Sequence, residues 1–373
     1  MSIRIPVNID TVEYSVEGMK FDLPDVTKVQ VINPAGDVKN EYQNRKTIWG
    51  KHEIYSLKLR TFDSGEKLCV EGSLGGFLYG QNVFTTHEMS TVCLESLKKI
   101  CEEFYFVPPD AKRRWKDGDI DLDRVDLACN FRLGSEAEVI STLMQIKRQL
   151  AERNCGVQLY DTTAYLSPDG GSEYSIGFYA KGPEMRRLTK FDESPHKPQL
   201  LKECRNILRI EIRLRAALKK LGLNKVSAWT ENTAEEVFRS YMRKLDLLNV
   251  TTGPVTEAEL QALPSRLRPV LAMHKAGLDL TKYFSLRTLQ RHRRDFHKQG
   301  IDLRCPNQPI ENVVPLLEVL TPERVIATPP TWLKEAGLFP ELDKQARKNT
   351  VNKEASVFEK PPYRSSNLWR KSD

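Results

Sequence analysis

The chain has no Cys-x-x-Cys pair and no paired histidine pattern among its seven cysteines and six histidines, which excludes a zinc ribbon or finger. The cysteines, at 69, 93, 101, 129, 155, 204 and 305, are scattered and odd in number. With no apolar segment among the first residues, that usage predicts a reducing compartment, read here as cytosolic. No apolar run approaches the roughly 18–20 residues that cross a bilayer, so no membrane partner is expected. Apolar residues are not scarce: a 40% hydrophobic fraction beside 29% charged residues marks a folded chain, not a disordered one. Its 373 residues predict two domains.

Lys and Arg outnumber Asp and Glu by 57 to 50, a formal charge of +7. The excess is uneven. Basic residues gather at 202–215, at 287–298 and in the last thirty or so positions, which favours a polyanionic partner.

Hydrophobic periodicity gives the elements. Ile54–Phe62 and Lys67–Glu71 read as strands around the Asp63-Ser64-Gly65 turn. Ser90–Phe104 and Ala137–Arg153 carry apolar residues at helical spacing. Leu122–Leu133, Ser172–Lys181 and Ile207–Arg215 alternate with period two, each with one apolar and one polar face. This order predicts an α+β domain over 1–225, an antiparallel sheet with helices on one face. A helical domain follows over 226–341, with a Thr-Thr-Gly-Pro linker within 249–255, then a basic flexible tail over 342–373.

The three alternating strands place Arg124 and Asp126, Tyr179 and Lys181, and Arg209, Glu211 and Arg213 on their polar faces. If the strands are neighbours, these side chains share one shallow cleft. The inventory suits metal-assisted phosphodiester cleavage. Asp126 and Glu211 would supply hard oxygen ligands for Mg²⁺ or Mn²⁺. A phenol titrates near pH 10, so Tyr179 needs help to attack. Lys181, about 7 Å along the strand, would favour the phenolate or the phosphate, and Arg124, Arg209 and Arg213 would grip DNA. The competing reading of Arg-x-Glu-x-Arg is a cross-strand ion-pair ladder, and a strand tyrosine is commonly a packing residue.

Five segments then occur in a familiar order: Tyr79-Gly80-Gln81-Asn82-Val83-Phe84-Thr85-Thr86; Arg124-Val125-Asp126; Tyr179-Ala180-Lys181; Leu208-Arg209-Ile210-Glu211 with Lys220-Leu221-Gly222-Leu223; and Asn312-Val313-Val314-Pro315-Leu316. In these the chain resembles the gene II replication proteins of filamentous phages. The resemblance implies a rolling-circle initiator, related in mechanism to the His-hydrophobic-His endonucleases. Such a protein nicks one strand of a circular duplex at its origin, links to it through a tyrosine and later rejoins the displaced strand. Tyr179 falls where the family places its DNA-linking tyrosine, with Tyr160, Tyr165 and Tyr174 as rivals. Asp126 and Glu211 fall on its acidic strand motifs. Implied partners are the double-stranded replicative-form origin, the displaced single strand, and host helicase and polymerase in the cytoplasm of a bacterial host. The family commonly reads Gly-His-Asn-Val-Phe where this chain has Gln81, so no histidine ligand carries over there; His87 is the nearest substitute. A plasmid initiator and a non-enzymatic DNA-binding regulator are the alternatives.

In the second domain, Ser285 is an N-cap candidate for a helix running to Gln299, with Gly300 as its stop. Arg287, Arg291, Arg294 and Lys298 form a stripe along it, partly offset by Asp295. With a helix at Ser265–Ala276 this predicts a helix-turn-helix, in which Arg287 and Arg291 meet bases and Arg294 and Lys298 meet phosphates.

Overall fold

The computed structural model describes residues 5–339, apart from 25–26, 44, 63–64, 107–109, 152–155, 161, 169, 189–193, 246–260, 262, 276–277, 279, 298–302, 304–319 and 327. Lys298, the 249–255 linker, the 312–316 segment and the 342–373 tail therefore lie outside the described residues. The strands are β1 (Asn8–Glu17), β2 (Lys28–Ile32), β3 (Val38–Gln43), β4 (Lys46–Trp49), β5 (Ser56–Phe62), β6 (Lys67–Ser73), β7 (Asp121–Arg132), β8 (Val157–Tyr160), β9 (Thr163–Leu166), β10 (Tyr174–Ala180) and β11 (Ile207–Leu214). The helices are α1 (Leu74–Tyr79), α2 (Met89–Glu103), α3 (Ala111–Lys116), α4 (Glu136–Ala151), α5 (Lys181–Arg187), α6 (Lys197–Cys204), α7 (Ala216–Lys220), α8 (Thr233–Lys244), α9 (Arg268–Lys275), α10 (Leu286–His297) and α11 (Thr331–Glu335).

Nine strands form one antiparallel sheet in the order β4-β5-β6-β1-β7-β11-β10-β9-β8, and β2 pairs separately with β3. The α+β expectation holds, and the three alternating strands are neighbours. Their apolar residues, such as Leu127, Phe178 and Ile210, enter one core with Leu97 of α2 and Ile146 of α4. Period-two alternation then sends the charged residues to the other face.

Helices were expected on one face alone, but that other face is also covered. Ile207, on the same face as Arg209, packs with Phe84, Met185, Leu200 and Leu333 in a second apolar cluster, which draws in α5, α6 and α11. The strand expected to reach Lys181 stops at Ala180, and Lys181 opens α5. Pro183 sits in the first turn of that helix, where its missing N–H costs nothing.

The core does not end at residue 225. Val237, Phe238 and Tyr241 of α8 join it, as do Leu320 and Val325. Val325 bridges to Phe131, and Ile326 N–H donates to the Asn130 carbonyl at 3.0 Å. Among the described residues, 263–303 contribute to a separate cluster, in which Leu267 and Leu271 meet Leu289 and Phe296. Phe238→Ala should therefore lower the stability of the sheet core by about 3–5 kcal/mol, read as the shift of the main transition in denaturant unfolding. A transition unchanged by this variant would place α8 outside the core.

Candidate functional site

Register aligns the polar face in rows. Tyr179 lies opposite Arg209, which lies opposite Asn130; Gly177 opposes Glu211, which opposes Ala128; Ser175 opposes Arg213, which opposes Asp126. Glu211 thus has a glycine and an alanine for direct neighbours, which leaves it room. The Tyr179 hydroxyl donates to Glu211 Oε2 at 2.9 Å. Asp126 is fully buried and gripped by two guanidiniums: Arg124 donates from Nε to Oδ1 at 2.8 Å and from Nη2 to Oδ2 at 2.6 Å, and Arg213 Nε donates to Oδ2 at 3.2 Å. That forked pairing replaces the water the carboxylate has lost.

The predicted shallow cleft is instead largely enclosed, with Tyr179 only 9% exposed. Arg209, expected to grip DNA, is completely buried; its Nη2 lies 3.7 Å from Asp10 Oδ2, and its N–H groups make no hydrogen bond among the described residues. Lys181 is also completely buried. Its Nζ donates to Asn82 Oδ1 at 3.0 Å, pairs with Glu184 Oε2 at 2.5 Å and lies 5.7 Å from the centre of the Tyr179 ring. Arg124 and Arg213 keep some surface, and besides Asp126 they lie near Glu71 and Glu211 respectively.

The electrostatics follow from this enclosure. Burial, with Asp126 and Asp10 close by, pushes the Glu211 carboxyl up to about 7, although Arg209 and the Tyr179 hydroxyl pull it down. Burial also raises the Tyr179 phenol well above its ordinary value; Arg209 opposes the rise, while Glu211, Glu184 and Asp10 add to it. At rest the tyrosine is protonated and its proton points at a carboxylate.

Among the described residues, no group of three or more His, Cys, Asp or Glu side chains is arranged to hold a metal. Asp126 does not fit as a ligand where it stands, since both its oxygens are committed to arginines. Glu211 fits as a single ligand of the kind that shares Mg²⁺ with substrate phosphates. Gln81 has another occupation: its Nε2 donates to the carbonyls of Phe84 at 2.5 Å and Leu338 at 2.8 Å, while its Oε1 accepts from Val83 and Phe84 N–H. It clasps the loop that lies over the site. His87 is half-buried at the end of that loop.

Three participants escaped the sequence reading: Asp10, Asn82 and Glu184. Asp10 precedes the alternation Val12, Tyr14, Val16 in β1, a signal that was present. Asn82 stands beside Gln81 in a segment already singled out.

The basic stripe lies on α10, whose apolar side belongs to a separate cluster. Arg287, Arg291 and Arg294 of α10 are all exposed, while Leu289 and Phe296 are buried. Asp295, expected to offset the stripe, pairs instead with Arg266 at 3.1 Å. Ser285 Oγ accepts from Thr288 N–H, as an N-cap does.

Residues 9–232 match the N-terminal family of the phage replication-associated protein, the gene II product. The chain belongs to this family. The match spans β1 to the turn before α8 and takes in Asp10, Asp126, Tyr179, Arg209 and Glu211. The chain is also 26% identical to the gene II replication-associated protein of Enterobacteria phage I2-2 over 308 residues, covering 79% of this chain and 88% of the relative. No solved structure shows significant similarity.

The raised Glu211 carboxyl sets a pH-dependent cost. Below its ordinary value of 4.5 the group is protonated whether the chain is folded or not, and nothing is lost. Between 4.5 and about 7 the unfolded chain ionises first, so stability falls as pH rises, and the full cost is present above about 7. Glu211→Gln removes it and should stabilise the protein at pH 8 by on the order of 2–3 kcal/mol. Thermal melts of both proteins should converge as pH falls toward 4.5. A gap that does not depend on pH would contradict the buried charge.

Proposed function

We propose that this replication-associated family member initiates rolling-circle replication by nicking one origin strand with Tyr179. The observation that supports this most is the Tyr179 hydroxyl held on Glu211 within a charged, enclosed sheet face. The phenol oxygen attacks the scissile phosphorus, a phosphotyrosine forms at the 5′ end, and a 3′-hydroxyl is freed for a host polymerase working with a helicase. The ester conserves the energy of the broken linkage, so the displaced strand can be rejoined without ATP. Lys181 and Arg209 stabilise negative charge on the phenol oxygen and the phosphate; Arg124 and Arg213, the two arginines that keep some exposure, guide the DNA backbone. In this reading the protein works in the cytoplasm of its bacterial host, by a mechanism akin to the His-hydrophobic-His endonucleases. No helix among the described residues is long and apolar enough to cross a membrane.

Mg²⁺ or Mn²⁺ belongs to this proposal as a partner of Glu211 and the DNA phosphate, where it would add positive charge beside the phosphorus. Asp126 acts by holding Arg124 and Arg213. The exposed arginines of α10 provide origin binding, with Arg287 and Arg291 nearest the helix start placed to read bases and Arg294 to meet phosphate.

Supercoiled origin DNA provides the test. Wild-type protein with Mg²⁺ should convert it to the nicked circle with protein attached, and Tyr179→Phe should do neither while still binding the origin. Nicking and attachment by Tyr179→Phe would refute the assignment. Binding without nicking by the wild type, with and without added metal, would leave only a DNA-binding regulator. Arg294→Ala should lower the magnitude of the slope of log affinity against log salt by about 0.9, the mark of one lost phosphate contact.

A further inference from the structure

Tyr179 is not alone on the polar face. Tyr165 of β9 lies directly opposite Gly177, which lies directly opposite Glu211. The side chains of Tyr165 and Tyr179 therefore share a face as diagonal neighbours, with backbones about 7–8 Å apart. Gly177 makes the arrangement possible. A Cβ there would come within 2.9 Å of the Tyr165 ring, so the ring leans across β10 into space that any other residue would fill. Burial, then the nearby Glu211 carboxylate, raises the Tyr165 phenol, while Arg213 lowers it. The ring is half-buried, unlike that of Tyr179, and meets Tyr160 edge-on at 6.2 Å. Glu211 thus has one phenol hydrogen-bonded to it and a second whose ring lies over the glycine opposite it.

Rolling-circle chemistry leaves a problem that a second phenol solves. After one round, the 5′ end of the displaced strand is still esterified to Tyr179 when the regenerated origin must be cut. An esterified tyrosine cannot attack again. We propose that Tyr165 is the nucleophile of this second cleavage, a role that rests on the nicking reading above. The Tyr165 oxygen attacks the phosphorus of the regenerated junction; an O–P bond to Tyr165 forms, the bond to the 3′ oxygen breaks, and the phenol's proton ends on that oxygen. The new 3′-hydroxyl then attacks the phosphotyrosine at Tyr179. The circle is sealed, the bond to Tyr179 breaks, and the hydroxyl's proton returns to the Tyr179 oxygen. Tyr165 now carries the new 5′ end, and the two tyrosines exchange roles in the next round.

The experiment uses the full chain and two origin oligonucleotides. The first is a short substrate whose 3′-terminated fragment diffuses away, trapping the initial adduct; the second carries a fluorescent label and is added after excess first oligonucleotide is removed. Proteolysis at acidic residues separates the Tyr165 peptide, bounded by Asp161 and Asp169, from the Tyr179 peptide, bounded by Glu173 and Glu184. The first adduct is expected on Tyr179 and the labelled one on Tyr165 of the same molecule. In Tyr165→Phe, which keeps the ring over Gly177 and deletes one oxygen, the ratio of labelled to first adduct should fall at least about tenfold. A label found on Tyr179 of a second copy or on another tyrosine, or a ratio unchanged in the variant, overturns the inference while the nicking reading stands. A first adduct away from Tyr179 overturns both. Should the variant fail to fold, the wild-type peptide map alone decides.

Discussion

Asp126 is a carboxylate with no access to water, and the site depends on the two arginines that take water's place. Removing either guanidinium would leave a buried charge short of partners, a change that typically costs about 3–5 kcal/mol. The grip also has a consequence next door. Arg213, committed to Asp126 at 3.2 Å, reaches Glu211 only at 3.6 Å. Burial first, and then the Asp126 and Asp10 carboxylates, make Glu211 hold its proton more tightly, while Arg209 and the Tyr179 hydroxyl oppose that rise.

Enclosure makes those charges strong, and enclosure is assembled from distant parts of the chain. The Asn130 side chain donates to the Val83 carbonyl at 2.7 Å, fixing the loop over the sheet. Gln81 then ties the loop to Leu338, 257 residues further on, and Lys51 donates to the carbonyl of Gly337 at 2.7 Å. A histidine at position 81 could not make the four amide-type contacts that glutamine makes, two as donor and two as acceptor. The departure from the family's usual residue therefore has a structural role here.

What could be seen in the sequence was local. Alternation in β7, β10 and β11 gave the right faces, because one apolar side per strand leaves a period-two mark in the sequence whether or not the polar side is later covered. It brought Tyr179, Glu211, Asp126 and Arg213 together correctly. It did not show that Arg209 and Lys181 would be sealed inside, since burial depends on the loop, α5 and the returning segment near residue 325, none of which leaves a trace in those strands. Lys181 was misplaced by one element, because Ala180-Lys181 alternates as a strand does and only Pro183 hints at the helix. The return of Leu320 and Val325 to the core was hidden for the same reason: their contacts are with residues far away in sequence.

The sheet encloses the Tyr179–Glu211 pair, and the 263–303 cluster carries an exposed basic helix with its own small core. Identification of the DNA-linked residue after a single nick of supercoiled origin DNA bears most directly on the central claim. Fragmentation of the peptide between Glu173 and Glu184 distinguishes Tyr174 from Tyr179. The account requires the nucleotide on Tyr179; its presence on Tyr174, Tyr165 or any other residue would contradict it.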